Sequence, residues 1–242
     1  MHEESPLVIA RWGAPVADRE EICFVADDAA LPDDLQGCNV VLGNGSEARA
    51  EQLLARGAAR VLLADAAMLD STAVSRLVQG YGAERIGVAL LATKRHVSWS
   101  LDIVSNADFR CLTPSVGKHG WEIVLSDGTA SGTDAVCWVG EMLALGVSMA
   151  LIRVDMQDED LNTCAGLVEA HGNKLWFSPW QRPDADLEPW VRYGQLRRLL
   201  LPAANARDET EMARIRAAAM PAQEELVAET AVEAAEGVGA TV

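Results

Sequence analysis

The chain has 242 residues, half of them hydrophobic, and a formal net charge of −16 at pH 7, which argues against nucleic acid or an anionic membrane as partner because either would be repelled. No apolar run reaches the ~18 residues needed to span a bilayer, and the start, MHEESPLVIARWG, lacks the basic opening and long apolar region of a signal peptide. Five cysteines (Cys23, Cys38, Cys111, Cys137, Cys164) are odd in number and lack CxxC spacing, and the four histidines are scattered, so reduced thiols, a cytoplasmic protein, no metal and no cofactor are expected.

In chain order, Pro6 to Ala10 and Glu21 to Ala26 are apolar runs of strand length. The stretch between them, RWGAPVADRE, is too short for a helix with its turns. The next connection, Asp27 to Gly37, is equally tight and contains Pro32, and its acidic pairs Asp27/Asp28 and Asp33/Asp34 read as solvated loop and helix-start charge rather than metal ligands. Asn39 to Leu42 is a third buried strand, ended by Gly43-Asn44-Gly45, a turn expected to need positive φ. Ser46 is a natural N-cap for a helix over Glu47 to Arg56, which Gly57 stops. Arg60 to Ala64 is a continuous apolar run suited to a parallel strand buried on both faces. Asp70 or Ser71 caps a helix through about Tyr81, and Arg85 to Ala92 is the fifth strand.

A long connection, Thr93 to Ala130, follows; it holds an alternating piece (Val97 to Ile103) and a hairpin running Trp121 to Leu125 through the turn Ser126-Asp127-Gly128. Long loops at strand C-terminal ends carry function, so this insertion is expected to be a lid or a contact surface. Thr133 is the expected N-cap of a helix over Asp134 to Leu145, and Met149 to Val154 is the sixth strand. A helix over Leu161 to Ala170, a strand over Lys174 to Phe177, a short helix over Asp186 to Tyr193 and a strand over Gln195 to Leu201 complete the series. Composition turns to Ala, Glu and Arg after Pro202, which divides the chain into a barrel-sized domain, 1–205, and an acidic, partly helical or disordered tail, 206–242. From Arg207 on, three Arg against eight Asp and Glu give a net charge of −5, with one helix expected over about Glu209 to Met220.

Strands alternating with helices of about twelve residues predict an α/β fold with a parallel sheet: a distorted (β/α)8 (TIM) barrel with shortened first helices, an extended hairpin after strand five and an acidic tail. A flavodoxin-like open sheet is the alternative. The segment GNGSEARAEQLLARGAARVLLADAAMLDSTAVSRLVQGYGAERIGVAL resembles the third to fifth βα units of the histidine-biosynthesis barrels, the imidazole glycerol phosphate synthase cyclase subunit and its sister isomerase. Gly120-Trp121-Glu122 followed by Ser131-Gly132-Thr133-Asp134-Ala135-Val136-Cys137-Trp138 looks like the cyclase's GWE hairpin and TG-x-DAVEW segment, and the similarity extends from Val40 to about Phe177.

The resemblance implies two mouth carboxylates acting as acid and base at the ends of strands one and five. Those positions fall on Arg11, beside Trp12, and on Leu91, so the pair is absent. It also implies a phosphate held by the turn after strand three, leaving Gly43, Asn44 and Gly45 as a phosphate-binding remnant or simply a tight βα turn. Asp65 stands where a small hydroxyl or amide residue is usual and would repel phosphate, while Ser178-Pro179-Trp180 and Leu201-Pro202 replace the glycines of the second phosphate site. Of the acidic run Asp155, Asp158, Glu159 and Asp160, Asp155 is the one catalytic candidate, as a strand-end general base or magnesium ligand; a solvated loop is the plainer reading.

Seven tryptophans against three phenylalanines suit either hydrophobic plugging of a disused mouth or an aromatic contact surface. The expected function is a catalytically degenerate barrel of this family, a pseudoenzyme acting as a binding or scaffold subunit. Its protein partner would meet the N-terminal face, where Arg60 matches a basic position, or the 93–130 insertion with Trp99 and Trp121. The alternative is a phosphosugar-metabolising lyase or isomerase of changed specificity.

Overall fold

In the computed structural model, the described residues are 6–13, 22–28, 31–94, 104–106, 109–110 and 120–220. Eight parallel strands close into a barrel: β1 (Val8–Trp12), β2 (Cys23–Ala26), β3 (Cys38–Leu42), β4 (Arg60–Leu63), β5 (Ile86–Lys94), β10 (Ala150–Val154), β11 (Leu175–Pro179) and β12 (Arg198–Leu201). They neighbour one another in chain order, and β12 returns to β1 with Ala10 opposite Leu200. β5 joins β10 with Ala89 opposite Leu151, which rules out the open sheet. Among the described residues four further strands lie between β5 and β10: β6 (Val104–Asn106) and β7 (Phe109–Arg110) form a separate pair, and β8 (Trp121–Val124) with β9 (Ala130–Asp134) forms the expected hairpin.

The continuous apolar runs are explained by burial on both strand faces. One set of alternate residues, including Ala10, Phe24, Val41, Leu62, Ala89, Leu151, Trp176 and Leu200, fills the lumen. The other set, including Val25, Val40, Val61, Val88, Ile152 and Phe177, packs outward against the helices. These are α1 (Glu47–Ala55), α2 (Asp65–Leu69), α3 (Ser71–Tyr81), α4 (Ala135–Ala144), α5 (Leu161–His171), α6 (Glu188–Arg192) and α7 (Glu209–Ala218). Strand–helix alternation is irregular: among the described residues no helix separates β2 from β3, and two helices separate β4 from β5.

Local chemistry sets most boundaries as expected. Ser46 caps α1 by accepting the Arg49 N–H, and Asp70 caps α3 by accepting that of Thr72. Three expectations need correction. Thr133 does not cap α4, because β9 runs on through Asp134 and the Asp134 carboxylate receives the Cys137 N–H. Neither Gly43 nor Gly45 has left-handed φ; glycine is required at 45 because a Cβ there would overlap the Leu42 side chain. Asp27 is not solvated loop charge: it accepts both Arg49 Nε, at 2.9 Å, and Nη2, at 2.6 Å, tying the β2–β3 connection to α1.

The helix expected in the tail is α7, and it docks on the barrel. Met212, Ile215 and Ala218 are buried, and Arg214 pairs with Asp186 and Glu188 beside α6. The alternating piece at Val97 to Ile103 and the tail beyond Met220 lie outside the described residues.

Candidate functional site at the barrel mouth

The C-terminal ends of the barrel strands carry the lumen-side residues Trp12, Leu91, Arg153 and Ser178, each two positions along its strand from a lumen-filling residue. Arg11 is not among them. Its neighbours Ala10 and Trp12 join the lumen while Ile9, two residues before it, packs in the outer core, so the mouth position of β1 belongs to Trp12. Leu91 does hold the mouth position of β5 and lines a small cavity there. Neither an indole nor an isobutyl group transfers a proton.

Trp12 organises the mouth. Its indole N–H donates to Ser178 Oγ at 3.3 Å, and the Arg153 guanidinium lies over its ring at 5.3 Å. Below it, Trp12 meets Phe24 edge-on at 6.4 Å, Phe24 meets Trp176 at 5.1 Å, and Arg198 lies 5.5 Å over Trp176. An aromatic column therefore fills the lumen, with a guanidinium at each end. Arg153 Nε is buried without an acceptor, and burial lowers the pKa of this guanidinium.

The β8–β9 hairpin closes one side of the mouth. β8 pairs antiparallel with the extended end of β5, Leu91 opposite Val124 and Lys94 opposite Trp121. At its tip the Ser126 N–H is accepted by both Asp65 carboxylate oxygens, at 3.1 and 3.2 Å, and Ser126 Oγ lies beside Gly43. The remaining cavity, between Val41, Gly43, Asp65, Leu91, Ile123 and Arg153, measures about 70 Å³. That is room for a few waters, well below the roughly 300 Å³ at which metabolite pockets begin.

The acidic run after β10 is dispersed. Asp155 accepts the Gln181 N–H at 2.8 Å, bracing the connection after β11. Glu159 pairs with Lys94 at 2.6 Å, and Asp160 is buried near Trp121. Burial raises the Asp160 pKa against the opposing pull of the Trp121 N–H and Lys94; that N–H approaches the carboxyl but falls short of hydrogen-bond geometry. Among the described residues no three His, Cys, Asp or Glu side chains converge as metal ligands would.

Arg60 lies at the opposite end of the barrel, half-buried. Its Nε donates to the Glu84 carbonyl at 2.8 Å and to Ser148 Oγ at 2.9 Å, and Nη1 to Asn39 Oδ1 at 2.9 Å. Of the tryptophans, Trp121, Trp176 and Trp190 are fully buried, and Trp121 stacks on Trp190 at 6.2 Å behind β8. They plug the structure and present no surface. Sequence reasoning missed Arg153 and Arg198, whose signal was available: each is a charge within or at the start of an apolar strand run, ALIRV and RLLL.

No protein-family model and no characterised protein matches the sequence at a significant level. Among the described residues no helix is long and apolar enough to cross a membrane.

Proposed function

We propose that this chain is a divergent (β/α)8 (TIM) barrel of the histidine-biosynthesis type that has lost catalysis and works in the cytoplasm as a binding or scaffold subunit. One observation carries the reading: the two strand ends where that family's acid and base would stand hold Trp12 and Leu91, beside a mouth cavity of about 70 Å³. The GWE hairpin and the closed parallel barrel support the family assignment. The 93–130 insertion and the N-terminal face around Arg60 are the surfaces offered to a partner.

The test is a pull-down from source cytosol with the tagged full chain, paired with complementation of cyclase- and isomerase-deficient strains. A stoichiometric partner without complementation is the expected result; rescue of either strain overturns the loss of catalysis. The rival reading, a phosphosugar lyase or isomerase of changed specificity, draws on Arg153, a cation without an acceptor beside the Gly43-Asn44-Gly45 turn. Turnover of a phosphosugar that disappears in Asp155→Asn would favour it.

A further inference from the structure

At the N-terminal end of the barrel, opposite the mouth, lies an open pocket of about 530 Å³ whose lining includes Asn39, Arg60, Ser148, Asn173, Trp176 and Arg198. Arg60 and Arg198 enter it from the lumen side of β4 and β12, sharing the parity of Leu62 and Leu200. Among the described residues no carboxylate lines it.

The two arginines are prepared differently. Arg60 is oriented by Glu84, Ser148 and Asn39, and Asn39 is itself held by donating to the Cys23 carbonyl at 3.1 Å. Those bonds use Nε and Nη1, and among the described residues Nη2 has no acceptor. Arg198 has its guanidinium carbon 5.5 Å over the Trp176 ring and its Nε buried without an acceptor. A cation–π contact favours the guanidinium but satisfies none of its N–H donors. The two charges are close enough to repel: after burial, the charge of Arg198 is the next cause holding the Arg60 pKa down, with Glu84 opposing it. A chain of net charge −16 thus concentrates two cations, with unused donors, in one concave site.

We propose that this pocket binds a small oxyanion, a phosphate or carboxylate group, clamped between Arg60 Nη2 and the Arg198 guanidinium. Planar guanidinium forks match the paired oxygens of such a group, and the preset orientation of Arg60 lowers the ordering cost of binding. The site is separate from the mouth and stands whether or not the mouth is inert. The same chemistry is offered by a free anionic metabolite and by the side-chain carboxylates of an acidic segment, so the experiment includes both.

Isothermal titration of the full chain with inorganic phosphate, citrate and a hexaglutamate peptide, at constant ionic strength, is the test. At least one of the three is expected to bind, and Arg198→Met to weaken it about tenfold or more, the loss expected for charge-assisted bonds. Arg153→Met should leave the affinity unchanged, which separates this pocket from the cation at the mouth. Phosphate or citrate binding without hexaglutamate binding identifies a free anion; the reverse identifies an acidic segment. Arg198→Lys, which keeps the charge and loses the fork, should retain part of the affinity and guards against misreading a folding defect. Binding by none of the three, or equal binding by parent and Arg198→Met, overturns the proposal, as does a loss confined to Arg153→Met.

Discussion

Asp65 and Ser126, 61 residues apart, are joined by a carboxylate that receives one backbone N–H on both of its oxygens, at 3.1 and 3.2 Å. Asp65 begins α2 just after β4 and Ser126 is in the hairpin turn, so this contact pins the hairpin over the end of β3. The carboxylate that the resemblance marks as hostile to phosphate is thereby a positioning group for the hairpin.

Removing it should free the hairpin tip without unfolding the barrel. Asp65→Ala is expected to lower stability by about 1 kcal/mol in urea denaturation, the net worth of a typical hydrogen bond, because this charged one is exposed to solvent. The Ser126 amide should exchange with deuterium faster while amides of β3 and β4 stay protected. Unchanged exchange at Ser126 would show that β8 pairing alone holds the turn.

Arg153 is expected to cost stability. Its buried Nε has no acceptor, a loss of about 1–3 kcal/mol, while its stacking on Trp12 returns about 0.5–2 kcal/mol. Arg153→Met keeps much of the volume and removes the charge, so it should unfold at higher urea concentration than the parent, by about 1 kcal/mol or more. A less stable variant would show that the guanidinium is compensated.

Thiol reactivity should divide by burial. Cys137 is exposed, whereas Cys23, Cys38 and Cys164 are buried, and burial pushes the Cys38 thiol up to about 12, helped by the neighbouring Cys23. Burial likewise pushes Cys164 up. In a Cys111→Ser background, a chromogenic disulfide reagent should titrate one thiol in the native protein and the rest only in denaturant. Rapid native reaction of more than one thiol would contradict the burial of β2 and β3.

The pH dependence has two opposed parts. Burial raises the Asp160 pKa, so the folded state holds that proton more tightly than the unfolded state. Its contribution is fully present below the unfolded value and is lost as pH rises through the folded one. Asp160→Asn should therefore gain stability relative to the parent at pH 7 and lose that advantage near pH 4. Glu47, held low by the Arg76 hydrogen bond, and Asp70, held low by Thr72 and then Arg76, act the other way. Their support is present above their unfolded values and disappears as pH falls, by little because the network is exposed. Thermal melts of parent and Asp160→Asn from pH 4 to 8 check the sign.

What the sequence by itself determined was local: eight strand-length apolar runs, caps at Ser46 and Asp70, and a hairpin turning at Ser126-Asp127-Gly128. These depend on side chains and backbone within a few residues of one another, so spacing and residue type suffice. Facing was a different matter. In a strand buried on both sides every residue is apolar, and nothing in such a run says which alternate set points inward. The resemblance puts Arg11 at the mouth position of β1, and the barrel puts Trp12 there. Closure of the barrel decided the rest, because only the joining of β5 to β10 and of β12 to β1 carries Trp12 to Ser178 and Arg153. The same closure sets Arg60 beside Arg198, 138 positions apart in the chain. The acidic run at 155–160, compact in sequence, is divided by the fold: Asp155 turns to Gln181, Glu159 to Lys94, and Asp160 is buried near Trp121.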